Sequence, residues 1–173
     1  MKTRPTGSMI RESLFNILAD RVNGAVVLDL FSGSGALGLE ALSRGASAAV
    51  FVDNSKKCCD IIRQNVALLG FDSKAEVIRR RVQEIVRWEK EVIGRFGAGQ
   101  VGLVFADPPY SCEDMTSLPG SIAASPVLSE EALVVFEHGD DVDMPNDAGG
   151  FEKYKAKSYG GTGISIYRKC LCH

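Results

Sequence analysis

Residues 27–42 read VLDLFSGSGALGLEAL, an apolar run that enters a glycine-rich turn and leaves it as an amphipathic segment. The turn holds Gly33, Gly35 and Gly38 in the spacing Gly-x-Gly-x-x-Gly. Glycine at the first two positions lets the backbone turn sharply and approach a ligand with no Cβ between them. The third lets the following helix pack closely on the strand. A strand feeding a helix through such a turn is the opening half of a βαβ unit. That unit commits the chain to a mostly parallel sheet covered by helices on both faces.

The rest of the chain repeats the alternation. Short apolar runs at 26–30, 49–52, 75–78, 101–106 and 133–137 are predicted strands, and helical spacing is predicted over 9–21, 36–44, 56–69 and 82–96. Gly45 and Gly70 stand where two of these helices should stop. Residues 111–127 are poorly periodic and predict a loop with a short helix. Residues 151–173 alternate polar and apolar side chains on both sides of Gly160-Gly161-Thr162-Gly163, the pattern of an antiparallel hairpin closing the sheet edge. Residues 1–173 therefore read as a single α/β domain of doubly wound, Rossmann-like type. A helical segment over 1–22 leads it and the hairpin over 151–173 ends it.

Composition sets limits on function. Hydrophobic residues make up 45% and charged residues 24% of the 173, as in ordinary globular proteins. No apolar run approaches bilayer-spanning length, and no secretory leader is visible, so the cytoplasm is the expected compartment. Cys58, Cys59, Cys112, Cys170 and Cys172 are odd in number and lack disulfide or zinc spacing, so they read as free thiols with no metal. The net charge of −2 gives no global attraction for nucleic acid. The C-terminal region is locally basic, with Lys153, Lys155, Lys157, Arg168 and Lys169 against Glu152. Lys153, Lys155 and Lys157 share one face if that strand is regular, either as an RNA contact or as lysines guarding a sheet edge.

Ligands of open α/β sheets sit beyond the carboxyl ends of the strands. Asp29, Asp53 and Asp107 fall at three such ends. Asp53 lies twenty residues after Gly33, where a carboxylate can accept hydrogen bonds from ribose hydroxyls. Two cofactors compete for the turn: a dinucleotide with its pyrophosphate on the helix N-terminus, or S-adenosylmethionine. Asp29, four residues before Gly33, favours the second, since it would repel a pyrophosphate and suit an ammonium and a sulfonium.

The stretch VFADPPY at 104–110 supplies the reactive chemistry. Pro109 has no N–H and holds Pro108 extended, which aims the Pro108 carbonyl. Beside it Asp107 carries acceptor-only oxygens. Two fixed acceptors match the two hydrogens of an exocyclic amino group, whose lone pair is otherwise delocalised into its base. Gripping both hydrogens turns that lone pair toward an electrophile, and Asp107 can take up the developing positive charge. Tyr110 offers a stacking face for the base. A plain strand stop by Asp-Pro-Pro would leave the acid without a purpose. A WW-domain ligand needs a residue between the prolines and the tyrosine, absent here, and Cys112 as a nucleophile has no basic neighbour in sequence.

These motifs together, RPTGSMIRESLFNIL at 4–18, LDLFSGSGALGLEALSRGA at 28–46, VFVDNS at 50–55, VFADPPY at 104–110 and YGGTGISIYRK near the end, resemble the bacterial RsmD-type 16S rRNA guanine-N2 methyltransferases of the class I S-adenosylmethionine-dependent superfamily. The resemblance covers nearly the whole chain. It implies a seven-stranded sheet with an antiparallel last strand. It also implies methyl transfer to guanine N2 in the 16S rRNA of the small ribosomal subunit or its assembly intermediate, by a monomer. Carried over by position, Asp29 and the loop Phe31, Ser32, Gly33, Ser34 and Gly35 meet the methionine moiety. Asp53 and Asn54 serve the ribose side, and Val82 offers its backbone to adenine. Asp107, Pro108, Pro109 and Tyr110 hold the target amino group and base. Arg4, Pro5 and Thr6 form an approach segment beside cofactor or RNA.

Two departures stand out. Relatives usually precede the Arg-Pro-Thr motif with a basic stretch, whereas here the motif begins at residue 4. Relatives also usually place Asp or Asn where this chain has Arg81, which cannot accept a hydrogen bond from adenine, so Arg81 is expected to turn outward or leave adenine to the Val82 backbone. The run Arg79, Arg80 and Arg81 reads as a solvated strand end ahead of an RNA patch. An amino-group methyltransferase acting on another RNA or on DNA adenine, and a fold-retaining RNA-binding or assembly protein without turnover, are the alternatives.

Overall fold

A computed structural model describes residues 7–109 and 116–170. The first helix, α1 (Gly7–Leu18), closes in a 3-10 turn (Ala19–Arg21) and leads to β1 (Val26–Leu30). Then follow α2 (Ala36–Ser43), β2 (Ala48–Asp53), α3 (Lys56–Leu68), β3 (Ala75–Arg79), α4 (Ile85–Phe96) and β4 (Val101–Ala106). The chain continues through α5 (Leu118–Ala123), β5 (Leu128–Gly139), β6 (Asp147–Ala148), β7 (Phe151–Ser158) and β8 (Thr162–Lys169).

All strands join one sheet in the order β3-β2-β1-β4-β5-β8-β7-β6. The first five in that order run parallel, and β8 is antiparallel to both β5 and β7. This is the expected doubly wound sheet with its closing hairpin, but among the described residues it has eight strands where seven are expected. The addition is β6, whose Asp147 and Ala148 pair with Glu152 and Phe151 at the outer edge. Strand β5 also begins earlier than expected, because Leu128 pairs with Val101 ahead of the apolar run that marks its centre in sequence.

The reversal of strand order between β1 and β4 places the ligand crevice at their carboxyl ends. Alternation along the strands builds the two layers. Leu28, Leu30, Val104 and Phe136 pack with Trp88 and Val92 of α4 and Ile122 of α5. Val27, Phe105 and Val135 pack with Leu14 and Phe15 of α1, Leu42 of α2 and Ile62 of α3. The turn before α4 is pinned by the Trp88 indole, whose Nε1 donates to the Val82 carbonyl at 2.9 Å, so α4 starts at Ile85 and not at Val82. Among the described residues no helix is long and apolar enough to cross a membrane.

Candidate cofactor and active site

The glycine turn is built by a net of hydrogen bonds. Ser32 Oγ donates to the Asp29 carbonyl at 2.5 Å, and the Ser32 N–H donates to the Val52 carbonyl at 3.3 Å. Phe31 takes φ 57, a left-handed conformation uncommon for a residue with a Cβ. The turn thereby faces the ring toward the crevice, where Phe31 lines its wall. Gly35, at φ 80, precedes the first residue of α2. A Cβ on Gly38 would sit 2.4 Å from the Phe51 ring, so only glycine allows α2 to lie this close to β2.

Asp53 ends β2 with both carboxylate oxygens engaged. Oδ2 accepts from the Gly33 N–H at 2.9 Å and Oδ1 from the Ser55 N–H at 2.8 Å. Each oxygen keeps a further lone pair for a ligand hydroxyl. Asp53, Asn54, Val82, Asp107, Pro108 and Pro109 line one cavity of about 530 Å³ together with Phe31. The ends of β1, β2 and β4 and the turn after β3 are thus brought to a single space, and of the three strand-end acids Asp53 and Asp107 line it.

Asp29 departs from its expected place. It is 3% exposed and does not line the cavity; its Oδ2 accepts from the Gly38 N–H at 2.9 Å. Burial pushes its pKa up to about 8, the Gly38 N–H opposes that rise, and Asp107 and Asp53 add to it. The carboxyl ties α2 to β1 through that bond. Ser32, Gly33, Ser34 and Gly35 likewise form the supporting turn and are not among the lining residues. Arg4, Pro5, Thr6, Tyr110 and Cys112 lie outside the described residues.

Asp107 opens to solvent at the cavity, yet its protein-facing side is crowded enough that lost hydration raises its pKa. Next to it stands a group that sequence reasoning missed. Phe105 pairs with Val135, so Asp107, just past the end of β4, and Glu137, still within β5, each lie two residues further along neighbouring strands. Burial, with the Asp107 charge second, pushes Glu137 up to about 7. The signal was available: Glu137 is one more acid at the end of an apolar run, like Asp29, Asp53 and Asp107. Ser55, Cys58 and Gln83 also line the cavity without having been singled out.

The basic residues are rearranged by the fold. Strand β7 carries a bulge between Lys153 and Lys155, which puts Lys153 out of step with Lys155 and Lys157. Lys153 instead donates from Nζ to the Met144 carbonyl at 2.7 Å. The expected single face of three lysines is therefore absent. Arg81 turns outward: it is exposed and lines a groove outside the cavity, whereas Val82 lines the cavity itself.

The family model described as "Conserved hypothetical protein 95" matches residues 1–168. The chain belongs to that family. This is the RsmD-type methyltransferase family. The chain is 29% identical over 166 residues to "Ribosomal RNA small subunit methyltransferase D" of Escherichia coli K12, covering 96% of this chain and 79% of that protein. A conserved hypothetical protein of Streptococcus pyogenes superposes with TM-score 0.78 at 33% identity, over 92% of this chain and 94% of the other. An RNA methyltransferase of Salinibacter ruber, solved with S-adenosyl-L-homocysteine, superposes with TM-score 0.71 over 98% of this chain and 95% of the other. At 17% identity that last likeness concerns the fold alone. The glycine turn and the Asp-Pro-Pro stretch of this chain lie within the matched residues.

Proposed function

We propose that this chain transfers a methyl group to the exocyclic N2 of a guanine in 16S rRNA of the small ribosomal subunit or its assembly intermediate. It does so as a cytoplasmic monomer working through one domain over 1–173. The observation that carries the reading is that Asp107 and Pro108 border the same cavity as Asp53. A nucleoside-binding wall and a pair of amino-group acceptors share one space.

The residues fit S-adenosylmethionine. Phe31 and Val82 supply apolar wall, Asp53 supplies acceptors for ribose hydroxyls, and Gly33 and Gly35 keep the turn free of side chains. Bound there, the cofactor supplies an activated methyl group. The chain's own work is positioning. Asp107 and the Pro108 carbonyl hold the two amino hydrogens, Pro109 keeps that carbonyl aimed, and Tyr110 stacks on the base. Asp107 receives the positive charge or proton released as nitrogen becomes bonded to carbon. Holding both partners in one cavity removes the entropic cost of a two-molecule encounter. The E. coli relative's name supports small-subunit rRNA as the substrate.

The test is incubation with radiolabelled S-adenosylmethionine and undermethylated small subunits, followed by nucleoside analysis. Label in N2-methylguanine is expected, and its absence overturns the reading. Parallel reactions with naked 16S rRNA and with DNA identify the form of the substrate.

A further inference from the structure

Arg79 ends β3, Arg80 and Arg81 follow it, and Arg87 lies in the first turn of α4. The fold gathers all four around an open groove of about 540 Å³, with Asn54 and Glu84 completing its wall. Asn54 lines the cofactor cavity as well, so groove and cavity are neighbours across one residue. We propose that this arginine groove binds the phosphate backbone of the RNA whose guanine enters the cavity. The proposal rests on the RNA methyltransferase reading above.

The charge balance in the groove favours an anion. Among the described residues, four guanidinium groups face one lining carboxylate, that of Glu84. The Arg87–Glu84 pair at 3.3 Å and the Arg80–Glu91 pair at 3.2 Å are solvent-exposed. Such pairs hold little stability and exchange readily for a stronger anion. Arg79 Nε donates to the Asn54 carbonyl at 3.4 Å, a long bond that leaves most of its donors open. The Arg81 side chain has no hydrogen-bond or ion-pair partner among the described residues. An unpaired, exposed guanidinium beside three others makes a phosphate fork, because its planar donors match two phosphate oxygens at once.

The rest of the surface offers less. The net charge of −2 gives no global field, so RNA attraction must be local. On β7 the bulge and the Met144 contact remove Lys153 from any lysine row. The groove therefore concentrates cationic side chains next to the reactive cavity, and it faces solvent where a large folded RNA can reach it.

Salt dependence of RNA binding decides the matter. A fluorescent 16S rRNA fragment is titrated with the full chain and with Arg81→Ala, Arg87→Ala, the double variant and Arg81→Lys over a series of KCl concentrations. Each lost phosphate contact should flatten the slope of log K against log salt by about 0.7 to 0.9 and weaken binding about fivefold near 0.1 M salt. Lysine at position 81 should restore most of the slope, and S-adenosylmethionine affinity by calorimetry should not change. Unaltered slopes in the double variant, or no RNA binding by the unchanged protein, overturn the groove. A loss of cofactor affinity in Arg81→Ala overturns it too, because Arg81 would then serve adenine. Methyl transfer to guanine N2 with arginine-independent slopes sinks the groove but keeps the reaction. Arginine-dependent slopes without that product sink the reaction but keep the groove.

Discussion

The Gly33 N–H donates to Asp53 Oδ2 at 2.9 Å, so the glycine turn after β1 and the acid ending β2 form one unit. That bond spans the boundary between two strands at the cavity wall, and it orients the carboxylate before any ligand arrives.

Removing Asp53 should cost cofactor binding directly. Asp53→Ala is expected to raise the S-adenosylmethionine dissociation constant by about tenfold or more, the worth of one charge-assisted hydrogen bond. Isothermal calorimetry measures it, and an unchanged constant would remove Asp53 from the ribose site.

Asp107 should separate chemistry from binding. Its position at the cavity edge predicts that Asp107→Ala abolishes methyl transfer while cofactor affinity stays within about twofold. Loss of both together would mean that the acid is structural.

Gly38 is a packing position. A methyl group there meets the buried Phe51 ring at 2.4 Å and Asp29 Oδ2 at 3.1 Å. Gly38→Ala should destabilise the fold by about 1–3 kcal/mol, the usual cost of overpacking a tight core, and lower Tm in a thermal melt. A Tm equal to that of the unchanged protein would show that α2 can shift away at no cost.

Asp29 predicts a pH effect on stability. Its folded pKa of about 8 lies above the ordinary aspartate value of 3.8, so the folded state binds the proton more tightly than the unfolded chain. Stability linked to this group is fully present below about pH 4 and is lost as pH rises toward 8. Asp29→Asn keeps an acceptor for the Gly38 N–H without the titrating proton. Denaturant unfolding between those two pH values should give a flatter profile for the variant. Identical profiles would refute the upward shift of the buried acid.

Much of the frame was legible in the chain. The glycine turn, the acids at the ends of the first, second and fourth strands, and the Asp-Pro-Pro stretch are local patterns, and the strands lie where the apolar runs are. Asp53, Asn54, Val82, Asp107, Pro108 and Pro109 were named from spacing or resemblance and share the cavity wall. Glu137 was passed over because its partner Asp107 lies thirty residues earlier, and their proximity exists only through β4–β5 pairing. The bulge at Tyr154 carries no strong residue signature, so the row of lysines looked regular.

By itself the sequence determined the alternation of strands and helices, the glycine turn and the order in which acids meet strand ends, since these depend on neighbours in the chain. Only the tertiary structure decided which acid faces the cavity and which is buried. Asp29 was drawn inward because β1 is central in the sheet and α2 covers it, so its carboxyl is desolvated and held by Gly38. Arg87 joined Arg79, Arg80 and Arg81 because the Trp88–Val82 bond turns α4 back beside the end of β3. Burial and charge clustering are properties of surfaces made from distant segments, and no local pattern encodes them.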